Sequence, residues 1–278
     1  MGKCKYCGHS AGAFRNKHKE CESKYVDGKQ QIYREIINFI KDEKPFNELK
    51  SSIEQIETAS FIPESETKEM LVRGWECTIN DFLEDGVLDE FEESRLMKFS
   101  DHFNLSNHEL DAHGCLTKTV KAAVIRDILN GIVPERISNA SSLPVNLQKN
   151  EKIVWAFDGT SLLEDKTRRQ YVSGSRGVSV RIMKGVYYRV GAFKGHSIET
   201  TERVQVDSGW LIVTNKNIYF IGSRKSMRIP YKKIVSFDPY SDGIGIMRDS
   251  SNAKMQIFIN GDGWFTYNVV NNLSQMYL

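Results

Sequence analysis

Apolar residues recur along this chain in two distinct rhythms. In the first half they fall three and four residues apart. Ile32, Ile36, Ile37 and Ile40 make one stripe, and Phe46, Leu49, Ile53 and Ile56 a second. Leu71, Trp75, Ile79 and Phe82 make a third, followed by Leu96, Phe99 and Phe103, and then by Leu116, Val120, Ala123 and Val124. That spacing puts each set on one helical face, so a run of amphipathic helices is predicted from about Gln30 onward. Pro45 separates the first two. Pro63 followed by Glu64, Glu66 and Glu69 predicts an acidic first turn, and Ser106 with Glu109 three positions on predicts a capping box. The helical rhythm stops near Gly131 and Pro134.

From Gly209 to Asn260 the rhythm shortens. Trp210–Val213, Ile218–Ile221, Ile229–Tyr231, Ile234–Phe237, Ile244–Met247 and Met255–Ile259 are brief apolar runs. Asn215-Lys216-Asn217, Gly222-Ser223, Asp242-Gly243 and Ser250-Ser251-Asn252 close them, which predicts an antiparallel meander. Phe265, Val269, Val270, Leu273 and Met276 then share a helical face. Upstream, Ile153–Phe157 and Val186–Val190 read as strands. Gly191, Gly195 and the polar run 196–203 read as a loop, and 158–205 as an extended early hairpin or insertion.

Gly209-x-Leu211-x-Val213-Thr214-Asn215-Lys216-x-Ile218-Tyr219-Phe220, then Ile229-Pro230-Tyr231-x-Lys233-Ile234, then Asp242-Gly243-Ile244-x-Ile246, resemble a pleckstrin-homology-like domain of the GRAM or bacterial PH type. The resemblance implies an antiparallel β-barrel or sandwich with a C-terminal helix. It also implies binding of an anionic lipid surface or a protein partner. Residues 84–96 followed by Phe103-Asn104-Leu105-Ser106 resemble the TerB-like helical family. The expected fold class is therefore α+β and multidomain: a zinc knuckle over 1–28, a helical region over 29–136 with a TerB-like acidic bundle at 61–136, a linker over 137–148, and a PH-like domain over 149–278.

A length of 278 residues suffices for two or three such parts. Mean hydropathy is −0.43, and no run approaches the roughly 18 apolar residues of a spanning helix. Met1-Gly2-Lys3-Cys4-Lys5-Tyr6 has no apolar export core, so a cytoplasmic protein is expected. The formal net charge is +2, but it is unevenly spread. Residues 61–136 hold 8 Lys and Arg against 16 Asp and Glu, whereas 137–278 hold 19 against 11. A basic C-terminal part points to a polyanionic partner or to docking between parts.

The chemistry is concentrated at the N-terminus. Cys4 and Cys7 form a C-x2-C pair, and His18 and Cys21 an H-x2-C pair. Three thiolates and an imidazole make a closed tetrahedral set for zinc. His9 is the competing imidazole, but it follows the second thiolate directly, where closing a tetrahedron is awkward. Four protein ligands leave no open position for water, so the predicted zinc is structural.

Other motifs fail on spacing. Asp81, Asp85, Gly86, Asp89 and Glu92 match part of a calcium loop, but Leu83 stands where an oxygen ligand is needed; an Asp-Gly helix–helix turn is the simpler reading. His108 and His113 stand five apart, not the four that would put two zinc ligands on one helical face. Cys77 and Cys115 read as buried small hydrophobes. No Walker loop or nucleophile elbow is present, so no enzymatic activity is expected. Arg224, Lys225, Arg228, Lys232 and Lys233 are the candidate anion contacts. Nucleic-acid binding through the knuckle and the basic C-terminal part is the alternative function.

Overall fold

The computed structural model describes the chain except Met1, Ala13, Glu43, Gly86 and residues 138–141, 173–178, 184–185, 190–195, 251–253 and 277–278, and gives only the backbone for Asp85 and for the strand residues between 166 and 201. The chain divides into two compact units, Met1–Ile132 and Val133–Leu278. The architecture is mixed, helices in the first unit and chiefly sheet in the second.

The first unit opens with a small antiparallel pair, β1 (Gly2–Lys3) and β2 (Ser10–Gly12). Helix α1 (Lys19–Lys41) follows directly. It begins well before Gln30, because its first turns are polar and carry Cys21 rather than an apolar stripe. The predicted knuckle and first helix thus share one element. Next come α2 (Phe46–Ser60), α3 (Glu64–Phe82), α4 (Glu90–His102), the single turn α5 (Asn107–Leu110) and α6 (Cys115–Leu129).

Their apolar faces meet in one core of Ile32, Ile36, Leu49, Ile53, Trp75, Ile79, Leu96 and Phe99 among others. Gly74 lets α3 cross α1 closely: a Cβ there would meet the Ile36 side chain at 2.5 Å. Buried Arg95 donates to the carbonyls of Ile40 at 3.2 Å and Lys44 at 3.1 Å, and to that of Phe39. The cation thus satisfies two of the carbonyls that end α1, those of Phe39 and Ile40. The Ser106–Glu109 capping box forms as expected. A second one joins Asp89 and Glu92 at the start of α4. These two carboxylates cap a helix, and the only metal-type cluster among the described residues lies elsewhere.

The second unit is a seven-stranded antiparallel sheet in the order β8-β7-β6-β3-β11-β10-β9. The strands are β3 (Ile153–Val172), β6 (His196–Thr214), β7 (Asn217–Gly222), β8 (Ser226–Pro230), β9 (Ile234–Tyr240), β10 (Gly243–Arg248) and β11 (Gln256–Ile259). A separate pair, β4 (Ser179–Met183) and β5 (Val186–Arg189), lies between β3 and β6 in the chain. The order is open: β8 and β9 are consecutive in the chain, joined by a 3-10 turn at Tyr231–Lys233, and stand at the two ends. Helix α7 (Gly263–Gln275) packs on β9 and β10, and its Phe265 meets Trp155 edge-on at 4.9 Å. Gly263 is required at its start, since a Cβ would stand 1.9 Å from the Tyr240 carbonyl oxygen.

The insertion resolves into an arm. β11 pairs with β3 only over Ser161–Glu164, but β3 and β6 stay in register from Asp165↔Arg203 out to Val172↔His196. Residues 196–203 are therefore strand, not loop. Their polarity misleads because a ladder needs backbone groups, not apolar side chains, to pair.

Candidate metal centre

Cys4, Cys7, His18 and Cys21 lie together, with their donor atoms all within 4.8 Å of one another. Three pieces of backbone position them. The turn after β1 holds Cys4 and Cys7: the Gly8 N–H donates to the Cys4 carbonyl at 2.9 Å, and the Cys4 N–H to the His9 carbonyl at 2.8 Å. Gly8 takes φ +76°, where a side chain would be strained. His18 is the residue just before α1, and Cys21 sits in its first turn. His9 is exposed and lies outside the cluster.

The distances fit a four-coordinate ion. His18 Nδ1 is 3.4 Å from Cys7 Sγ and 3.6 Å from Cys21 Sγ. Metal–sulfur bonds of about 2.3 Å and metal–nitrogen bonds of about 2.0 Å at a tetrahedral angle separate S from N by roughly 3.5 Å. The orientation of the ring is also decided. His18 Nε2 lies 3.0 Å from the Ser10 carbonyl oxygen, which can only accept, so Nε2 carries the hydrogen. Nδ1 then presents its lone pair to the thiols, as a metal-ligating imidazole must.

Electrostatics favour a cation at the centre. Burial alone would raise the Cys4 thiol, but N–H groups of Cys7, Tyr6 and His18 pull it down to about 6. Burial and then the neighbouring thiols of Cys7 and Cys4 push Cys21 up to about 11. Three sulfurs this close cannot all ionise by themselves, and a divalent ion supplies the charge that lets them. With an ion bound, all four positions would be taken by protein atoms, which would leave no site for a reacting water.

The five basic candidates fall on three elements. Arg224 and Lys225 lie on the turn between β7 and β8, where the N–H groups of both donate to Asp207 Oδ2 at 2.7 Å. Lys225 also pairs with Glu164. Arg228 is within β8, and Lys232 and Lys233 follow it in the 3-10 turn. Arg228 and Lys232 line a pocket of 460 Å³ together with Gln148, Lys216, Asn217 and Ser274. Lys216 reads in the sequence only as a turn residue and not as an anion contact.

Two cysteine expectations are corrected. Cys77 is exposed and Cys115 only half-buried, because both lie beside the apolar stripe and not on it. Comparison with protein-family models, curated proteins and solved structures finds no match to this chain. No helix among the described residues is long and apolar enough to cross a membrane.

Proposed function

We propose that this chain is a non-catalytic cytoplasmic adaptor. A structural zinc organises its first unit, and its second unit is a PH-like module that docks on an anionic lipid surface. Three thiolates with one imidazole favour zinc over harder divalent ions. The strand order supports the PH-like reading. A four-strand meander, β3-β6-β7-β8, and a three-strand meander, β9-β10-β11, meet along β3–β11, and a C-terminal helix follows.

The basic arm carries the functional reading. Between Lys166 and Arg203 the sequence holds nine Lys and Arg against two Glu, a net of +7. The whole second half, 137–278, has 19 Lys and Arg and 11 Asp and Glu, a net of +8. Nearly all of its excess charge therefore lies on β3, β6 and the segment between them. Basic residues near an anionic leaflet contribute about 1 kcal/mol each, an attraction that fades within a Debye length.

Flotation of the full chain with vesicles tests this. The chain should bind phosphatidylcholine vesicles containing phosphatidylserine, not pure phosphatidylcholine, and should release as salt rises. Arg168→Glu with Arg169→Glu should weaken binding. Failure to bind the anionic vesicles, together with steeply salt-dependent binding of nucleic acid, would replace this reading with the nucleic-acid one.

A further inference from the structure

The pocket beside Arg228 lies at the other end of β6 from the basic arm. Four elements build it: the turn joining β6 to β7 provides Lys216, β7 provides its first residue, Asn217, β8 provides Arg228, and the 3-10 turn provides Lys232. Ser274 of α7 and Gln148, ahead of β3, complete the wall. Its volume, 460 Å³, is that of a small-molecule site. Three cations line it and no carboxylate does. None of the three forms an ion pair among the described residues, in contrast to Lys225, which is paired with Glu164.

The walls are held before any ligand arrives. Lys216 Nζ donates to the Lys149 carbonyl at 2.7 Å, which fixes the stem and leaves ammonium hydrogens over. Tyr231 is buried and donates to the Thr214 carbonyl at 2.8 Å, tying the 3-10 turn to the end of β6. Asn217 Nδ2 donates to buried Glu151 at 2.7 Å. Tyr219 and Thr214 also donate to Glu151, so its charge is already met by hydrogen bonds. A fork of guanidinium donors in one pocket with two ammonium groups suits a ligand with several charged oxygens. One phosphate group brings roughly −1.5 to −2 near neutral pH, so two match three cations where a single carboxylate would not.

We infer that this pocket binds a small anion bearing two or more phosphate groups, either free or as the headgroup of a lipid. The site is distinct from the arm proposed above to contact the membrane, and each can fail alone. The test is calorimetric titration of the full chain with inorganic pyrophosphate. One site per chain is expected, and Arg228→Gln and Lys232→Gln should each weaken it about tenfold. Arg228→Lys, which keeps the charge and loses the fork, should lose less. Both side chains are exposed, so the variants should melt like the parent, and Lys98→Gln on the first unit should bind as the parent does. Vesicles containing phosphatidylinositol bisphosphate separate the two sources. Displacement of the chain from them by pyrophosphate identifies a lipid headgroup; unchanged vesicle binding with pyrophosphate bound identifies a free ligand. No pyrophosphate binding by the parent chain, or equal binding by the Arg228 and Lys232 variants, overturns the inference while leaving arm-mediated vesicle binding to stand or fall separately.

Discussion

His18 Nε2 donates to the Ser10 carbonyl oxygen at 3.0 Å, and this one bond turns Nδ1 toward Cys7 and Cys21. The small β-pair at the N-terminus and the start of α1 are thereby joined at the ring. A metal bound there would fasten two pieces of chain that otherwise meet through the Tyr6 and Tyr25 rings, 4.9 Å apart. Such centres supply folding energy directly.

Protein purified without added metal should contain about one zinc per chain by elemental analysis. His18→Ala should lower the metal content and loosen the residues before α1. The sheet unit should keep its melting behaviour, because its core of Ile153, Ile212 and Tyr219 is separate. Retention of full metal content by His18→Ala would show that the imidazole is not a ligand.

Thiol accessibility offers a second check. Cys77 is exposed, whereas Cys115 is half-buried and its thiol is raised by burial and then by Glu76. With zinc bound, an aromatic disulfide reagent should label one thiol quickly, and Cys77→Ser should remove that phase. A chelator should then release the three metal-centre thiols. Fast labelling of three further thiols before chelation would argue against a metal-bound centre.

Glu109 should add acid sensitivity to the first unit. Hydrogen bonds from Lys68 and then Ser106 hold its carboxyl down at about 2, against an ordinary value of 4.5. A depressed folded value means that the ionised group favours the folded state. Its contribution is complete above about 4.5 and is lost as pH falls toward 2. Thermal melts of Glu109→Gln should therefore show a shallower loss of stability across that window than the parent. Parallel curves would mean that the Lys68 pair at 2.6 Å is too solvated to matter.

Glu151 gathers four donors at the base of the sheet unit: Thr214 Oγ1 at 2.5 Å, Asn217 Nδ2 at 2.7 Å, Tyr219 OH at 2.8 Å and the Gln148 N–H at 2.7 Å. Removing the acceptor leaves buried donors unsatisfied. Glu151→Ala should cost about 2–4 kcal/mol in chemical unfolding. Glu151→Gln should recover only part, since its amide nitrogen would face another donor. Because Asn217 and Tyr231 shape the phosphate pocket through the same turn, both variants should also weaken pyrophosphate binding.

Much of this protein is written in local pattern. Three- and four-residue spacing marks the stripes that become α1, α2, α3 and α4, because a helix repeats its face at 3.6 residues whatever surrounds it. The metal ligands are equally legible, since C-x2-C and H-x2-C are short-range spacings imposed by a turn and a helix start. Pairing was harder to read. Polar residues 196–203 form a strand because distant residues 165–172 supply their ladder, and no local feature records a partner some thirty residues away in sequence. Asp89 and Glu92 look like ion ligands until the chain shows where α4 begins and turns them into its cap. The five basic candidates are near neighbours in sequence, but β8 runs straight between them and separates Arg224 and Lys225 from Lys232. Lys216 joins Arg228 only because β7 folds back on β8. Local sequence thus determined the elements and the metal donors, whose geometry is short-range. Only tertiary structure decided the arm, the caps and the pocket, because each depends on backbone pairs or side chains brought together across the sheet.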